Sequence, residues 1–204
     1  SPPVAARAGA PPRAPAGARC RIVGGLRVRA PLLALAHGHR RLGFLSGRAD
    51  RPDRRPRARA FGAEANAAGA QIHVGPDWQG NYSASGGAQV IGSLLDSGLR
   101  LPRAIVCAND QTALGVMHSL ARRGIRVPDD VAVTGFDDVP IARHLHPPLT
   151  TVRQPIEQLG AMAFDVLYAR ISEGAGELDT LLPVQLIVRE SCGCAHKPAP
   201  ESSQ

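Results

Sequence analysis

Short apolar runs alternate along this chain with longer stretches in which apolar side chains return every three or four positions. The runs read as buried strands over residues 41–46, 71–74, 104–108 and 131–135. The stretches between them read as helices over 57–68, 83–97 and 111–123, closed by Gly69, Gly98 and Gly124. In the second of these, Val90, Ile91, Leu94 and Leu95 fall on one face. Strand–helix alternation from residue 32 to 150 predicts an α/β fold, a parallel sheet flanked by helices. Right-handed crossovers then carry all the strand-to-helix loops to one edge of the sheet, the edge where open parallel sheets bind ligands. Beyond residue 140 the pattern changes. Residues 140–148 are turn-rich, 150–153 extended, 156–172 an amphipathic helix, and 181–188 a terminal strand. The amphipathic helix carries Ile156, Leu159, Ala163, Val166, Leu167 and Ile171 near helical spacing.

The two ends lack such periodicity. Residues 1–29 are dominated by Ala, Pro, Arg and Gly, with Pro2, Pro3, Pro11, Pro12 and Pro15 breaking regular elements, so they read as a disordered segment. Residues 195–204 read as a flexible tail. The formal net charge of +7 changes meaning once divided along the chain. Residues 1–59 hold 14 Arg against two acids, a balance of +12, and the remainder a balance of −5. The basic character belongs to the N-terminal part, where it would meet nucleic acid only nonspecifically through phosphates.

The four cysteines, Cys20, Cys107, Cys192 and Cys194, form no disulfide framework, and Cys192-x-Cys194 lacks further ligands for a metal. No cofactor is expected. No apolar stretch approaches the length of a membrane helix, and the first residues lack the apolar centre of a signal peptide. The expected location is the cytoplasm.

Candidate chemistry gathers at the predicted strand ends. Asn109-Asp110 ends one apolar run, and Asp137-Asp138 ends the next, 28 residues on. Carboxylates accept from two hydroxyls, carboxamides donate and accept, guanidinium donates in a fork, and an aromatic face covers the apolar side of a ring. Asp137, Asn109, Arg57 and Trp78 supply one of each, which suits a sugar or nucleoside. Each has a plainer reading. Asn109 or Asp110 can cap the helix that starts there, the aspartate pair can serve a turn, Arg57 can be one of many surface arginines, and a lone tryptophan can be core. No Gly-x-Ser-x-Gly, His-Glu-x-x-His or phosphate-binding Gly-x-x-x-x-Gly-Lys is present, and the seven histidines are scattered. The pattern is one of binding rather than catalysis.

Four strings sharpen this: GHRRLGFLSG at 38–47, ANDQTALG at 108–115, GIRVPDDVAVTGFDD at 124–138 and PPLTTVRQP at 147–155. In their order and spacing they resemble the LacI/GalR transcriptional regulators, over residues 30 to 194. The resemblance implies a periplasmic-binding-protein-like sensor of two α/β lobes with a sugar or related polyol between them. It implies a homodimer whose grip on operator DNA the effector alters. By position, Asn109, Asp137 and Arg57 look like the family's effector-binding residues, Trp78 like its loop aromatic, and Gln154 like its crossover glutamine. Ile156 stands where some members carry an aromatic. The dimer surface would fall on the helix after Asn109 and on the 140–146 turn. The family's helix-turn-helix and most of its N-terminal lobe have no counterpart in these 204 residues. DNA contact is therefore expected only through a segment outside them, and residues 30–194 as an incomplete sensor made mainly of the C-terminal lobe. Two further readings stay open: a periplasmic sugar-binding receptor of the same fold, and a fragment without function.

Overall fold

The computed structural model describes residues 21–24, 38–47, 54–173 and 179–194. Residues 32–36, which read as the last turns of a helix, most of 47–56, which read as a loop, and the C-terminal tail lie outside them. The chain divides into two compact units, one formed by residues 26–154 and 184–204, the other by 1–25 and 155–183.

The first unit is built on a four-stranded parallel sheet in the order β3-β2-β4-β5. Its strands are β2 (Arg41–Leu45), β3 (Gln71–His73), β4 (Ala104–Cys107) and β5 (Ala132–Thr134), and β1 belongs to the other unit. Helices α1 (Arg54–Ala67), α2 (Ala84–Asp96) and α3 (Asp110–Ala121) connect them. The alternation of side chains along each strand divides the core in two. Leu45, Ile105, Cys107, Val131 and Val133 pack with Ile91 and Leu94 of α2 and with Ala113, Val116 and Leu120 of α3. Leu42, Phe44, Ala104, Val106, Ala108 and Ala132 pack with Phe61 and Ala65 of α1, where Phe44 and Phe61 stack at 5.0 Å between centroids. With both sheet faces covered, the strands need no polar side, which is why they read as continuous apolar runs.

Small residues let α2 and α3 approach closely. A Cβ on Gly115 would meet the backbone of Ala84, and one on Gly87 the carbonyl of Thr112. Gly98 and Gly124 follow α2 and α3 at φ 75° and 70°, left-handed positions that glycine adopts without a Cβ penalty. A short antiparallel pair, β6 (Thr151–Arg153) with β8 (Gln185–Ile187), completes this unit. β6 runs beside the continuation of β5 through bridges from Thr134 to Thr150 and from Asp137 to Arg153.

The second unit holds α4 (Ile156–Glu173) and a parallel pair, β1 (Arg21–Gly24) with β7 (Asp179–Leu182). Two expectations change here. A strand at Arg21–Gly24 lies inside the stretch read as irregular, because pairing with β7 supplies the backbone partners that its weak local pattern did not announce. The single terminal strand expected at 181–188 is two, split around Pro183 between the units. On α4 the apolar side is largely open. Ile156, Phe164, Leu167, Tyr168 and Ile171 are all exposed, Phe164 at 67%.

Candidate effector site

The loops after β4 and β5 come together where the sheet ends. Asn109 is the N-cap of α3, with its Oδ1 accepting from the Thr112 N–H at 3.0 Å. Its Nδ2 donates to the Tyr82 carbonyl at 3.1 Å, which ties the loop before α2 to the same point. The next residue binds the neighbouring loop directly, since the Asp110 N–H donates to the Phe136 carbonyl at 2.8 Å. Asn109 is thus a helix cap, the plainer of its two readings. Its carboxamide closes the helix and stands half-buried at the sheet edge beside the Asp137 loop.

Asp137 carries the clearest chemistry. It is half-buried, and its Oδ1 accepts from Gln154 Nε2 at 2.7 Å. Two residues that the sequence placed 17 positions apart are therefore one hydrogen-bonded pair of carboxylate and carboxamide. Asp137 sits at φ 119° and Asp138 at φ 56°. Consecutive left-handed residues without glycine are uncommon, and Asp is, with Asn, among the side chains that tolerate the region.

What fixes that loop was not expected from the sequence. Asp138 turns inward, its side chain 2% exposed, and takes Arg189 Nη2 on Oδ1 at 2.6 Å and Arg153 Nε on Oδ2 at 2.7 Å. Burial alone would raise this acid. The hydrogen bonds and charges of Arg189 and Arg153 outweigh burial and hold it below the usual carboxylate range. Arg189 is itself anchored, donating from Nη1 to the Leu149 carbonyl at 2.7 Å and from its backbone N–H to Thr150 Oγ1 at 2.8 Å. Asp110, 1% exposed, supports the same loop from the other side. Its carboxylate accepts from Thr151 Oγ1 at 2.5 Å and from the Val139 N–H at 2.9 Å. Desolvation leads here, and despite those two bonds Asp110 is held above the ordinary range. Ser191 closes the back of the arrangement, donating to the Val133 carbonyl at 2.6 Å and accepting from the Thr150 N–H at 2.8 Å.

The remaining candidates are placed differently. Arg57 lies in the first turn of α1, the helix that follows β2, and its side chain falls outside the described residues. Trp78 is 8% exposed and belongs to the core between the sheet and α2. Gly43 makes room for its ring, for a Cβ there would lie 2.5 Å from Trp78 Cζ3. The Trp78 backbone, by contrast, runs along the sheet edge, with its carbonyl accepting from the Ser46 N–H at 2.9 Å. Among the described residues no cluster of three His, Cys, Asp or Glu could hold a metal, and no helix is long and apolar enough to cross a membrane. Cys107, Cys192 and Cys194 are free thiols. A cavity of about 660 Å³ lies along α2, lined by Asp77, Gln79, Asn81, Ser85 and Gln89 among others, apart from the Asp137 loop.

A half-buried carboxylate and two carboxamides thus gather at the carboxyl edge of a parallel sheet in an α/β lobe. Residues 34–192 match the periplasmic binding protein-like domain, and the chain belongs to that family. Its relatives place it among the LacI/GalR-type effector-binding domains. It is 33% identical over 158 residues to the transcriptional repressor PurR of Pasteurella multocida, covering 76% of this chain and 46% of the relative. It is 38% identical over 136 residues to the ribose operon repressor of Escherichia coli K12, covering 67% and 41%. A dimeric lac repressor with a C-terminal deletion superimposes with a TM-score of 0.74 at 29% identity, covering 83% of this chain and 63% of that one. The regulator CelR in complex with cellobiose gives 0.72 at 31% identity, covering 82% and 51%. The chain spans less than half the length of these two curated relatives.

Proposed function

We propose that this chain is the effector-sensing part of a dimeric, cytoplasmic LacI-type transcriptional regulator, not an enzyme. Its ligand is a sugar-like polyol, and its hold on operator DNA runs through a helix-turn-helix elsewhere in the protein. The Asp137–Gln154 pair carries this reading. Its carboxylate is an acceptor suited to ligand hydroxyls, while the carboxamide holds the acid in place and offers its own oxygen. Asn109 adds the second proton of its amide. Arg57 supplies a cation from the first turn of α1. Trp78 contributes through the loop it anchors rather than by stacking on the ligand, since its ring is committed to the core. The dimer surface uses the open stripe of α3, Gln111 and His118, together with Ile141 on the 140–144 turn, all three exposed. A repressor of the ribose operon and a regulator that binds cellobiose among the relatives favour a carbohydrate.

A ligand held on one side keeps much of its water, so this chain alone should bind several tenfold steps more weakly than a two-lobed sensor, each step about 1.4 kcal/mol. The test is an NMR titration of the labelled chain with D-ribose, cellobiose and mannitol at millimolar concentration. At least one should shift the Asn109, Asp137 and Gln154 signals together, and Asp137→Asn should abolish the response. Shifts clustered elsewhere, or an undiminished response in Asp137→Asn, would overturn the assignment.

A further inference from the structure

We infer that Asp138, clamped between Arg189 and Arg153, is a positioning residue that sets the direction of the Asp137 carboxylate. This rests on the reading of Asp137 as a ligand contact. The Asp138 side chain is 2% exposed, and both its oxygens bond to arginines of this unit. Its two oxygens are divided between two guanidinium groups that arrive from different strands. Arg189 lies just beyond β8 and reaches Oδ1, and Arg153 ends β6 and reaches Oδ2. A carboxylate bonded at both oxygens is restrained about its last bond, and through the side chain it limits how far its own backbone can move. Because Asp137 and Asp138 are both left-handed, the peptide between them has little freedom once Asp138 is pinned.

The other ends of the clamp are also rigid. Arg189 is bound to Leu149 and Thr150, on the segment leading into β6. Arg153 pairs through its backbone with both Gln185 and Asp137 and is followed directly by Gln154, the partner of Asp137. Through Arg153, Asp138 is therefore connected to both members of the ligand pair. One carboxylate of the Asp-Asp doublet meets the guest, and the other aims it. A surface turn would use neither the inward burial nor two arginines. A buried acid persists only when its partners compensate for lost water, and here the partners come from the strand that also supplies the site.

The readout needs no ligand. In the native chain one Gln154 side-chain amide proton, bonded to Asp137 at 2.7 Å, should resonate downfield and exchange slowly. Asp138→Asn should move the Gln154 amide pair to the averaged position of a free carboxamide, while methyl signals of Ile91, Ile105 and Leu120 stay in place. Folded protein with an unchanged Gln154 signal overturns the inference, because a purely structural role would lower stability without reaching that amide. Where Asp138→Asn fails to fold, Arg189→Lys and Arg153→Gln take its place. Each loosens one arm, and each should shift Gln154. Both leaving it unmoved is again a refutation. A parallel titration with D-ribose separates the two levels. Ribose binding in the native chain that weakens on the order of tenfold in the variants, as outer partners of binding groups typically cost, supports the clamp. A native chain that ignores ribose, cellobiose and mannitol alike counts against the proposed ligand, while the Gln154 signal still decides the clamp.

Discussion

Asp110 offers the sharpest energetic test of how the site is held. Asp110 is 1% exposed, has no cationic partner at hydrogen-bond distance among the described residues, and its carboxylate accepts from one hydroxyl and one backbone N–H. Hydrogen bonds to a charged acceptor contribute about 1.5–3 kcal/mol each, and a donor left buried and unpaired costs about 1–3 kcal/mol. Removing the acid also removes the cost of burying it, so Asp110→Ala should destabilise by about 2–4 kcal/mol net. Asp110→Asn keeps the shape, accepts from the Val139 N–H and donates to Thr151 Oγ1, and should cost less than half as much. Trp78, the single tryptophan, is buried in the same unit and reports its unfolding by fluorescence. With a urea slope of about 2 kcal/mol per molar, the alanine variant should lower the midpoint by about 1–2 M. The pH dependence supplies an independent sign. Burial holds the folded acid above its ordinary value, so the folded state binds the extra proton, and stability falls as pH rises from the unfolded value through the folded one. Asp110→Asn should flatten that fall. A midpoint change below about 0.3 M in Asp110→Ala, or an unaltered pH slope in Asp110→Asn, would refute the reasoning.

Asp138 should behave with the opposite sign. Its folded value lies below the unfolded one, so its stabilisation is present above the ordinary carboxylate value of about 3.9 and is lost as pH falls through the folded value; acid titration of the urea midpoint should show this in the native chain and not in Asp138→Asn. Gly115→Ala should cost about 1–3 kcal/mol, because the added methyl meets the Ala84 backbone, which cannot rotate aside. Gly92→Ala, whose nearest neighbour is an arginine tip at 3.5 Å, should stabilise α2 by about 0.5–1 kcal/mol, and thermal melts of the pair check both. Replacing Phe164 and Tyr168 by serine should reduce concentration-dependent self-association in sedimentation experiments, since these rings, 67% and 63% exposed, are the largest open apolar surface on α4.

The parallel sheet and its helices were legible because two signals agreed. Strands buried on both faces gave unbroken apolar runs, and the closing glycines marked the helix ends. The four helices appear within three residues of the expected bounds. Less was visible where long-range pairing decides. Arg21–Gly24 is a strand only because β7 lies beside it, and no alternation within four residues announces that. Asp137, Gln154 and Asn109 were named from the resemblance and from the chemistry of strand ends, and the structure joins the first two directly. Arg189 went unnamed because an arginine just past a terminal strand looks like surface. Asp138 was read as half of a strand-end pair, for hydroxyls or for a turn, and not as the partner of two arginines. The available signal was the doublet itself. A second acid beside a first must either face water or find a cation, and an arginine at the end of the next extended segment was the natural partner.

The Asp137–Asp138 loop is consequently over-determined by its own bonds, which bears on how the proposed site would choose a guest. Two left-handed aspartates in succession cost roughly 1–3 kcal/mol each in backbone strain, and such strain survives only where surrounding bonds over-determine it. Here Asp138 is held by two arginines, the Asp137 N–H donates to the Val152 carbonyl at 2.8 Å, and the Val139 N–H is fixed by Asp110. A loop paid for in this way loses little entropy on binding, so affinity should be governed by how well a guest replaces water around one half-buried carboxylate. That favours discrimination by hydroxyl direction over discrimination by size. On the proposed reading, an epimer that turns one hydroxyl away from Asp137 gives up a hydrogen bond to a charged acceptor, about 1.5–3 kcal/mol, whereas an added methyl at the open side costs almost nothing. The ratio between two epimeric sugars should therefore exceed the ratio between a sugar and its methyl glycoside, and the reverse ranking would mean that shape rather than the Asp137 carboxylate selects the ligand.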